Sequence, residues 1–290
     1  MKDYIAVDWG SSQLRGWLIR NGHCVETKQL PLGITRLNGR APADVFQEHL
    51  APWRGEEKLP VLMAGMIGSD AGWQSVPYLA CPAAIDAPGQ QLCAVAEGVW
   101  IIPGLKVEQG GDFNVMRGEE TQLLGAWQLA PTECYVLPGT HCKWVRIEDG
   151  TVRHFATTMT GELHNLLMTQ SLLGKGLPAQ QPDDAAFALG LEKGLAHPSL
   201  TSELFVARAA RVLGALAATS VSDYLSGLLI GAEVAAMGQR YRTSAVTLVG
   251  DRALNARYRR AMMAHGMTVN SCSGDEALLS GMARIMYGQH

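Results

Sequence analysis

Long runs of one charge are missing from this 290-residue chain. Charged residues make up only 18% of it, the formal net charge is −3, and the lysines and arginines are scattered. No basic strip has the length that a nucleic acid or a lipid surface requires, which argues against both as partners. A small anionic ligand held by a few placed residues remains compatible. Cysteine is sparse as well: Cys24, Cys81, Cys93, Cys134, Cys142 and Cys272 form no C-x-x-C pair and no disulfide-like spacing. They are expected as reduced thiols packed as small apolar groups. Apolar runs are short. The chain reaches Asp8 before a signal-peptide core can form, and the stretch Gly227 to Met237 is interrupted by Glu233. The expectation is a soluble, cytoplasmic protein.

What is present is an apolar fraction of 47%, enough to build a globular enzyme. The length suits two domains of ordinary size. Tyr4-Ile5-Ala6-Val7 reads as a buried strand ending at Asp8, followed by a Gly10-Ser11-Ser12 turn and a strand from Leu14 to Ile19. Asn21-Gly22 signals a two-residue hairpin, with a third strand over Cys24 to Gln29. A helix is expected from Pro42 to Leu50, a strand over Val61 to Ala64, then a glycine-rich loop from Gly65 to Gly72. A helix starting near Arg117 closes at Pro131, where the spacing puts the domain boundary.

The opening pattern then recurs. Tyr135 to Leu137 is apolar, Gly139-Thr140 turns, Lys143 to Ile147 returns, Asp149-Gly150 makes a hairpin, and Val152 to Phe155 forms a third strand. Both turns carry Gly then a hydroxyl residue, and both precede a basic residue with a nearby Trp (Arg15 and Trp17, Lys143 and Trp144). Two hairpins of one design imply a duplicated α/β domain, 1–130 and 131–290. Helices are expected over Thr160–Leu173, Ala185–Leu195, Ser202–Ala217, Ser222–Met237, Asn255–His265 and Asp275–Tyr287, with a strand from Ala245 to Val249.

Gly-Ser and Gly-Thr turns at strand ends suit phosphate binding. Glycine lets the backbone approach, and the following N–H groups and hydroxyl donate to phosphate oxygens. Asp8 could orient a Mg²⁺ ion, and Arg15 and Lys143 could add positive charge as a phosphoryl group moves. Taken singly, each turn reads equally well as an ordinary β-turn. The acidic pair Glu119 and Glu120 also has two readings, a helix start complementing the dipole or a catalytic base. His141-Cys142 has no third ligand spaced to join it and reads as structural.

Asp8-Trp9-Gly10-Ser11-Ser12 resembles the first phosphate motif of the acetate and sugar kinase, heat-shock chaperone and actin superfamily, and Pro138-Gly139-Thr140-His141-Cys142-Lys143 resembles its second. Leu248-Val249-Gly250-Asp251 falls where that superfamily has its adenosine turn. Within it, residues 4 to 287 resemble the kinases of 2-keto-3-deoxy sugar acids, through DWGSSQLRGWL, GITRLNG, VLMAGMIGSDAGW, IIPGL, NVMRGEETQLLGA, PGTHCKWV, MTGELH and YLSGLLIGAEVA. The resemblance implies an α/β, two-domain actin-like ATPase fold of duplicated ribonuclease H-like domains with an interdomain ATP cleft. The first domain would bind the sugar acid and carry the first phosphate loop, the second the nucleotide.

The resemblance also implies ATP and Mg²⁺ as cofactors, with a small sugar acid as substrate. It puts Gly10, Ser11, Ser12, Arg15, Gly139, Thr140, His141 and Lys143 on the phosphates, Gly250 and Asp251 beside adenosine, and Asp8 on the metal. A Gly-x-Glu-Glu segment in exopolyphosphatases of the superfamily favours Glu120 as base, with Glu119 close behind. A carboxylate substrate needs a guanidinium fork, for which Arg36 and Arg117 are candidates. Ser69, Asp70, Trp73, Glu162 and His164 could line its pocket, or serve as surface or capping groups. Leu137-Pro138 stands where many relatives carry an Asp, so metal organisation rests mainly on Asp8. The other functions weighed are a polyphosphate or guanosine-phosphate hydrolase and a non-catalytic binding or assembly protein, and a homo-oligomer is left open.

Overall fold

The computed structural model describes residues 3–196 and 200–288. The chain divides into two compact units: unit 1 holds Met1–Pro131, Ile147–Phe155 and Gly274–His290, and unit 2 holds Thr132–Arg146 and Ala156–Ser273.

Unit 1 opens with β1 (Tyr4–Trp9), β2 (Leu14–Arg20) and β3 (His23–Leu30), then α1 (Pro42–His49) and β4 (Val61–Ala64). Short strands follow: β5 (Leu79–Ala80), β6 (Ala83–Ala84), a single turn of helix α2 (Ala87–Gln90), β7 (Cys93–Ala96), β8 (Val99–Ile101), β9 (Leu105–Gln109) and β10 (Asp112–Met116), before α3 (Glu119–Leu129). The main sheet runs β3-β2-β1-β4-β8-β7. β1 pairs antiparallel with β2 and parallel with β4. Central and covered on both faces, β1 is a continuous apolar run through Val7, as such a position demands. Asn21 (φ 51°) and Gly22 (φ 80°) take the left-handed conformations that a two-residue hairpin turn needs. Val7, Trp9, Phe46, Leu50, Met63 and Ile101 pack in the core of this unit.

Unit 2 repeats the plan. It contains β11 (Cys134–Leu137), then β12 (Cys142–Glu148) and β13 (Thr151–Thr158), the tip of that hairpin being grouped with unit 1. α4 (Thr160–Gln170), α5 (Asp184–Ala196), α6 (Leu200–Val212) and α7 (Val221–Tyr241) follow, then β14 (Ala245–Gly250), α8 (Arg252–Ala264) and β15 (Thr268–Ser273). The strand order β13-β12-β11-β14-β15 matches β3-β2-β1-β4-β8. β11 is antiparallel to β12 and parallel to β14, and β14 is parallel to β15. Asp149 (φ 49°) and Gly150 (φ 69°) make the same turn as Asn21-Gly22. The duplicated α/β design expected from the two hairpins is therefore present strand for strand.

The last helix, α9 (Gly274–Tyr287), is a difference from a single cut at 130/131, because it returns to unit 1. Its contact with α3 explains why. A Cβ on Gly125 would lie 1.8 Å from the Ala277 carbonyl oxygen, and one on Gly281 would lie 2.0 Å from that of Thr121. The two helix backbones touch, which only glycine permits on both sides. No helix among the described residues is long and apolar enough to cross a membrane.

Candidate active site

Asp8 lies near the end of β1, where its Oδ2 is paired with an Arg15 guanidinium nitrogen. Arg15 projects from the facing position on β2, since Asp8 and Arg15 are register partners. Its other terminal nitrogen meets Asp275 Oδ1 at 2.6 Å. The two carboxylates raise the Arg15 pKa above its ordinary value against the opposing effect of burial, so the guanidinium stays charged. Asp275 went unrecognised in the sequence, because 260 residues separate it from Arg15.

The turn after β1 is built from behind. Gly10 N–H donates to the Gln13 carbonyl (3.0 Å), Ile34 N–H to the Gly10 carbonyl (3.0 Å), and Thr35 N–H to the Ser11 carbonyl (2.9 Å). Thr35 Oγ1 donates to that same oxygen at 2.8 Å. A Cβ on Gly33 would sit 2.3 Å from Ser11 O and Ser12 N, so the bracing segment abuts the turn directly. Ser11 and Ser12 themselves are exposed.

The start of α3 lies close by. A Cβ on Gly65, at the end of β4, would lie 3.2 Å from Asp8 Oδ1, and one on Gly118 would lie 3.2 Å from Gly65 Cα. The stacked glycines thus bring the Glu119-Glu120 helix start toward Asp8. Glu119 is half-buried and its Oε2 accepts from Arg117 N–H at 3.0 Å. Glu120 is buried, with Oε2 accepting from Gly118 N–H at 2.7 Å and Oε1 from the Thr121 hydroxyl at 3.1 Å. Burial, then the neighbouring Glu119 charge, push the Glu120 carboxyl up to about 8. Both glutamates also serve as helix-start acceptors, so the structural and catalytic readings coexist.

That shift has a consequence for stability. Because the folded pKa lies above the unfolded one, the Glu120 proton stabilises the fold fully below the carboxylate range. This contribution is lost as pH rises through about 8. Thermal melts of wild type should therefore fall between about pH 5 and 8 relative to Glu120→Gln, which cannot ionise. Parallel melting curves for the two would contradict the assignment.

In unit 2 the Gly139-Thr140 turn follows β11, and open space lies in front of Gly139, where a Cβ would meet nothing within 4 Å. The start of α4 supports the turn. Glu162 N–H donates to the Thr140 carbonyl at 3.0 Å, and a Cβ on Gly161 would lie 2.4 Å from the Gly139 oxygen. His141 Nε2 contacts Glu162 Oε2 at 2.5 Å. The structure thus places Glu162 against the second turn. Lys143 is buried on β12, its Nζ donating to Thr157 Oγ1 at 3.1 Å. Gly250 adjoins this region, since a Cβ there would lie 3.4 Å from the Pro138 oxygen.

Asp251 caps α8, its Oδ1 accepting from Ala253 N–H (2.9 Å) and Leu254 N–H (3.0 Å). Replacing it with Ala should cost about 1 kcal/mol of stability, read from denaturant midpoints. If nucleotide affinity falls as well, the side chain contributes more than a cap.

The remaining candidates separate into groups. The Arg117 guanidinium carbon sits 4.1 Å from the Tyr78 ring centroid and one terminal N–H donates to Val76 O at 2.6 Å, while its Nε and second terminal nitrogen are buried without a hydrogen-bond partner. Arg36 is exposed in the segment that braces the first turn. Ser69 donates to the Met66 carbonyl (2.7 Å), Asp70 accepts from Ser75 (2.6 Å), and Trp73 packs on Phe46 (5.2 Å), so these three support the loop after β4. His164 points to the Ser222 carbonyl at 3.0 Å, within the helical part of unit 2.

Among the described residues no group of three or more His, Cys, Asp or Glu could hold a metal. The Asp8 carboxylate, beside the exposed Ser11 and Ser12, is of the donor type that Mg²⁺ takes. That ion commonly takes one or two carboxylates and completes its shell with waters and substrate phosphates.

Residues 8–285 match the 2-keto-3-deoxy-galactonokinase family. The chain is 51% identical over 285 residues to the 2-dehydro-3-deoxygalactonokinase of Escherichia coli K12, covering 98% of this chain and 97% of that protein. A crystal structure of a Sinorhizobium meliloti protein assigned as a 2-dehydro-3-deoxygalactonokinase superposes with a TM-score of 0.90 at 33% identity, covering 98% of this chain and 99% of that one. The fold extends further. The activator of a Clostridium difficile 2-hydroxyisocaproyl-CoA dehydratase, solved with bound ADPNP, gives a TM-score of 0.52 at 12% identity over 99% of this chain and 97% of that one.

Proposed function

The chain belongs to the 2-keto-3-deoxy-galactonokinase family, and on that premise we propose that it transfers the γ-phosphoryl group of MgATP to the terminal hydroxyl of 2-dehydro-3-deoxygalactonate. The product is the 6-phosphate and ADP leaves. The observation that carries the reading is the placement of Asp8 between an open glycine-serine turn and, through Gly65 and Gly118, the glutamate pair that starts α3.

Each group has a role in this scheme. The turns at Gly10-Ser11-Ser12 and Gly139-Thr140-His141 present N–H groups and hydroxyls to phosphate oxygens. Asp8 would hold Mg²⁺, which would supply neutralisation of the developing phosphate charge. Arg15, kept cationic by its two carboxylates, adds charge on the same side, and Lys143 supports β12 behind the second turn. Glu120, with Glu119 close behind, is the candidate to accept the hydroxyl proton, both carboxylates being held at the start of α3. Arg117 and Arg36 are the candidates for the substrate carboxylate. Gly250 and Asp251 border the adenosine side. Unit 1 handles the sugar acid and unit 2 the nucleotide, in the cytoplasm.

Coupled ADP release, measured with and without 2-dehydro-3-deoxygalactonate, tests this. ADP that forms only with the sugar acid, alongside a phosphorylated product, is the expected result. Phosphate release without the sugar acid would indicate a hydrolase, and no turnover a binding protein.

A further inference from the structure

Glu233 is a buried carboxylate in the middle of α7, only 6% exposed, and the chemistry above makes no use of it. Burying a carboxylate is costly unless donors surround it, and three do so. Trp144 Nε1 donates to Oε1 at 2.7 Å, and the Tyr258 hydroxyl (2.7 Å) and the Thr160 hydroxyl (2.5 Å) both donate to Oε2. Cys142 belongs to the same cluster. Burial first, then the Glu233 charge, push its thiol well above the ordinary range.

The donors come from the elements that flank the second turn. Trp144 and Cys142 lie on β12, which leaves that turn, and Thr160 is the first residue of α4. The next residues of α4 touch the turn itself: the Gly161 backbone abuts Gly139 and Thr140, and Glu162 N–H donates to the Thr140 carbonyl at 3.0 Å. A path of direct contacts therefore runs from Glu233 through Thr160 to the peptide groups of Gly139-Thr140.

We propose that Glu233 is a positioning residue for nucleotide: through the Thr160 hydroxyl it fixes the start of α4 and so holds the Gly139-Thr140 turn in its phosphate-binding conformation. This rests on the reading that the turn binds ATP phosphates. Hydrogen bonds to a buried charge are among the stronger ones, and turn geometry governs affinity because the backbone donors must be preset. The network needs an acceptor with two oxygens at this point of α7, which glutamate supplies and glutamine does not.

The direct variant, Glu233→Gln, leaves mismatched donors in the core and could simply fail to fold. Thr160→Val removes one hydroxyl at constant shape, and Thr160→Ser restores it. Calorimetric titration with MgADP needs neither turnover nor sugar acid. Thr160→Val should weaken MgADP binding about tenfold, the loss of one charge-assisted hydrogen bond. Thr160→Ser should bind within about twofold of wild type, and sugar-acid affinity should be unchanged in both. Wild-type MgADP affinity in Thr160→Val overturns the proposal, as does an equal loss for MgADP and sugar acid, which would mean general loosening. Should wild type bind MgADP yet phosphorylate no sugar acid, the proposed kinase reaction fails while the Thr160 comparison still decides this inference.

Discussion

Asp8→Asn should lower kcat by roughly 10²–10³ while leaving the protein folded. Asparagine keeps the volume of the side chain at the end of β1, and its oxygen can still accept from Arg15. What disappears is the charge. Arg15 retains Asp275 as partner, and the Asp8–Arg15 pair is partly solvated, with 19% and 29% of the two side chains exposed. The stability loss is therefore of the order of 1 kcal/mol or less. Mg²⁺ loses its one protein carboxylate in this scheme, so the apparent Mg²⁺ requirement should rise along with the fall in kcat. Near-full activity at saturating Mg²⁺ would remove Asp8 from the metal site.

Gly33→Ala should cut kcat/KM for ATP by about 10²-fold, although residue 33 carries no side chain and is not itself proposed to touch a ligand. The added Cβ would meet Ser11 O, Ser12 C and Ser12 N, all at 2.3 Å. These are backbone atoms of the first turn and cannot rotate away as a side chain would. Relief requires shifting the turn by about an ångström, the scale at which positioning of a reacting group is lost. Overpacking of this kind also costs roughly 1–3 kcal/mol of stability. Steady-state kinetics with ATP varied, beside a thermal melt, separates the two effects. Activity within threefold of wild type would mean that the Gly10-Ser12 turn does not set the phosphate.

Much of this architecture was legible in the sequence because its signals are local. Asn21-Gly22 and Asp149-Gly150 announce their turns by residue type alone. The apolar runs at Tyr4 and Tyr135 announce central strands. Asp8, Gly10 and Gly139 belong to the same short patterns. The strands between Leu79 and Met116 escaped notice since β5 and β6 have two residues each, too few for any period, and β10 turns Phe113 and Val115 outward. β15 escaped for another reason: its sequence, Thr-Val-Asn-Ser-Cys-Ser, is largely polar.

Site residues contributed from far along the chain were the hardest to see. Asp275 reaches Arg15 only because α9 returns to α3 through the Gly125 and Gly281 contact. Nothing near residue 275 signals that return. Gly161 and Gly33 read as ordinary glycines until the backbone they abut is known. Glu162 resembled a substrate ligand in sequence, yet its backbone and carboxylate both engage the second turn. Asp251 resembled part of a nucleotide motif and also caps a helix.

Hydrogen–deuterium exchange of the wild-type protein, with and without a non-hydrolysable ATP analogue and Mg²⁺, bears most directly on how the phosphates are held. Amides of Ser11 and Ser12 and of 139–141 should slow together, with one shared dependence on analogue concentration, the Gly10 amide being already bonded to the Gln13 carbonyl. Slowing at one segment alone, or at neither, would contradict the assignment of both turns to a single triphosphate.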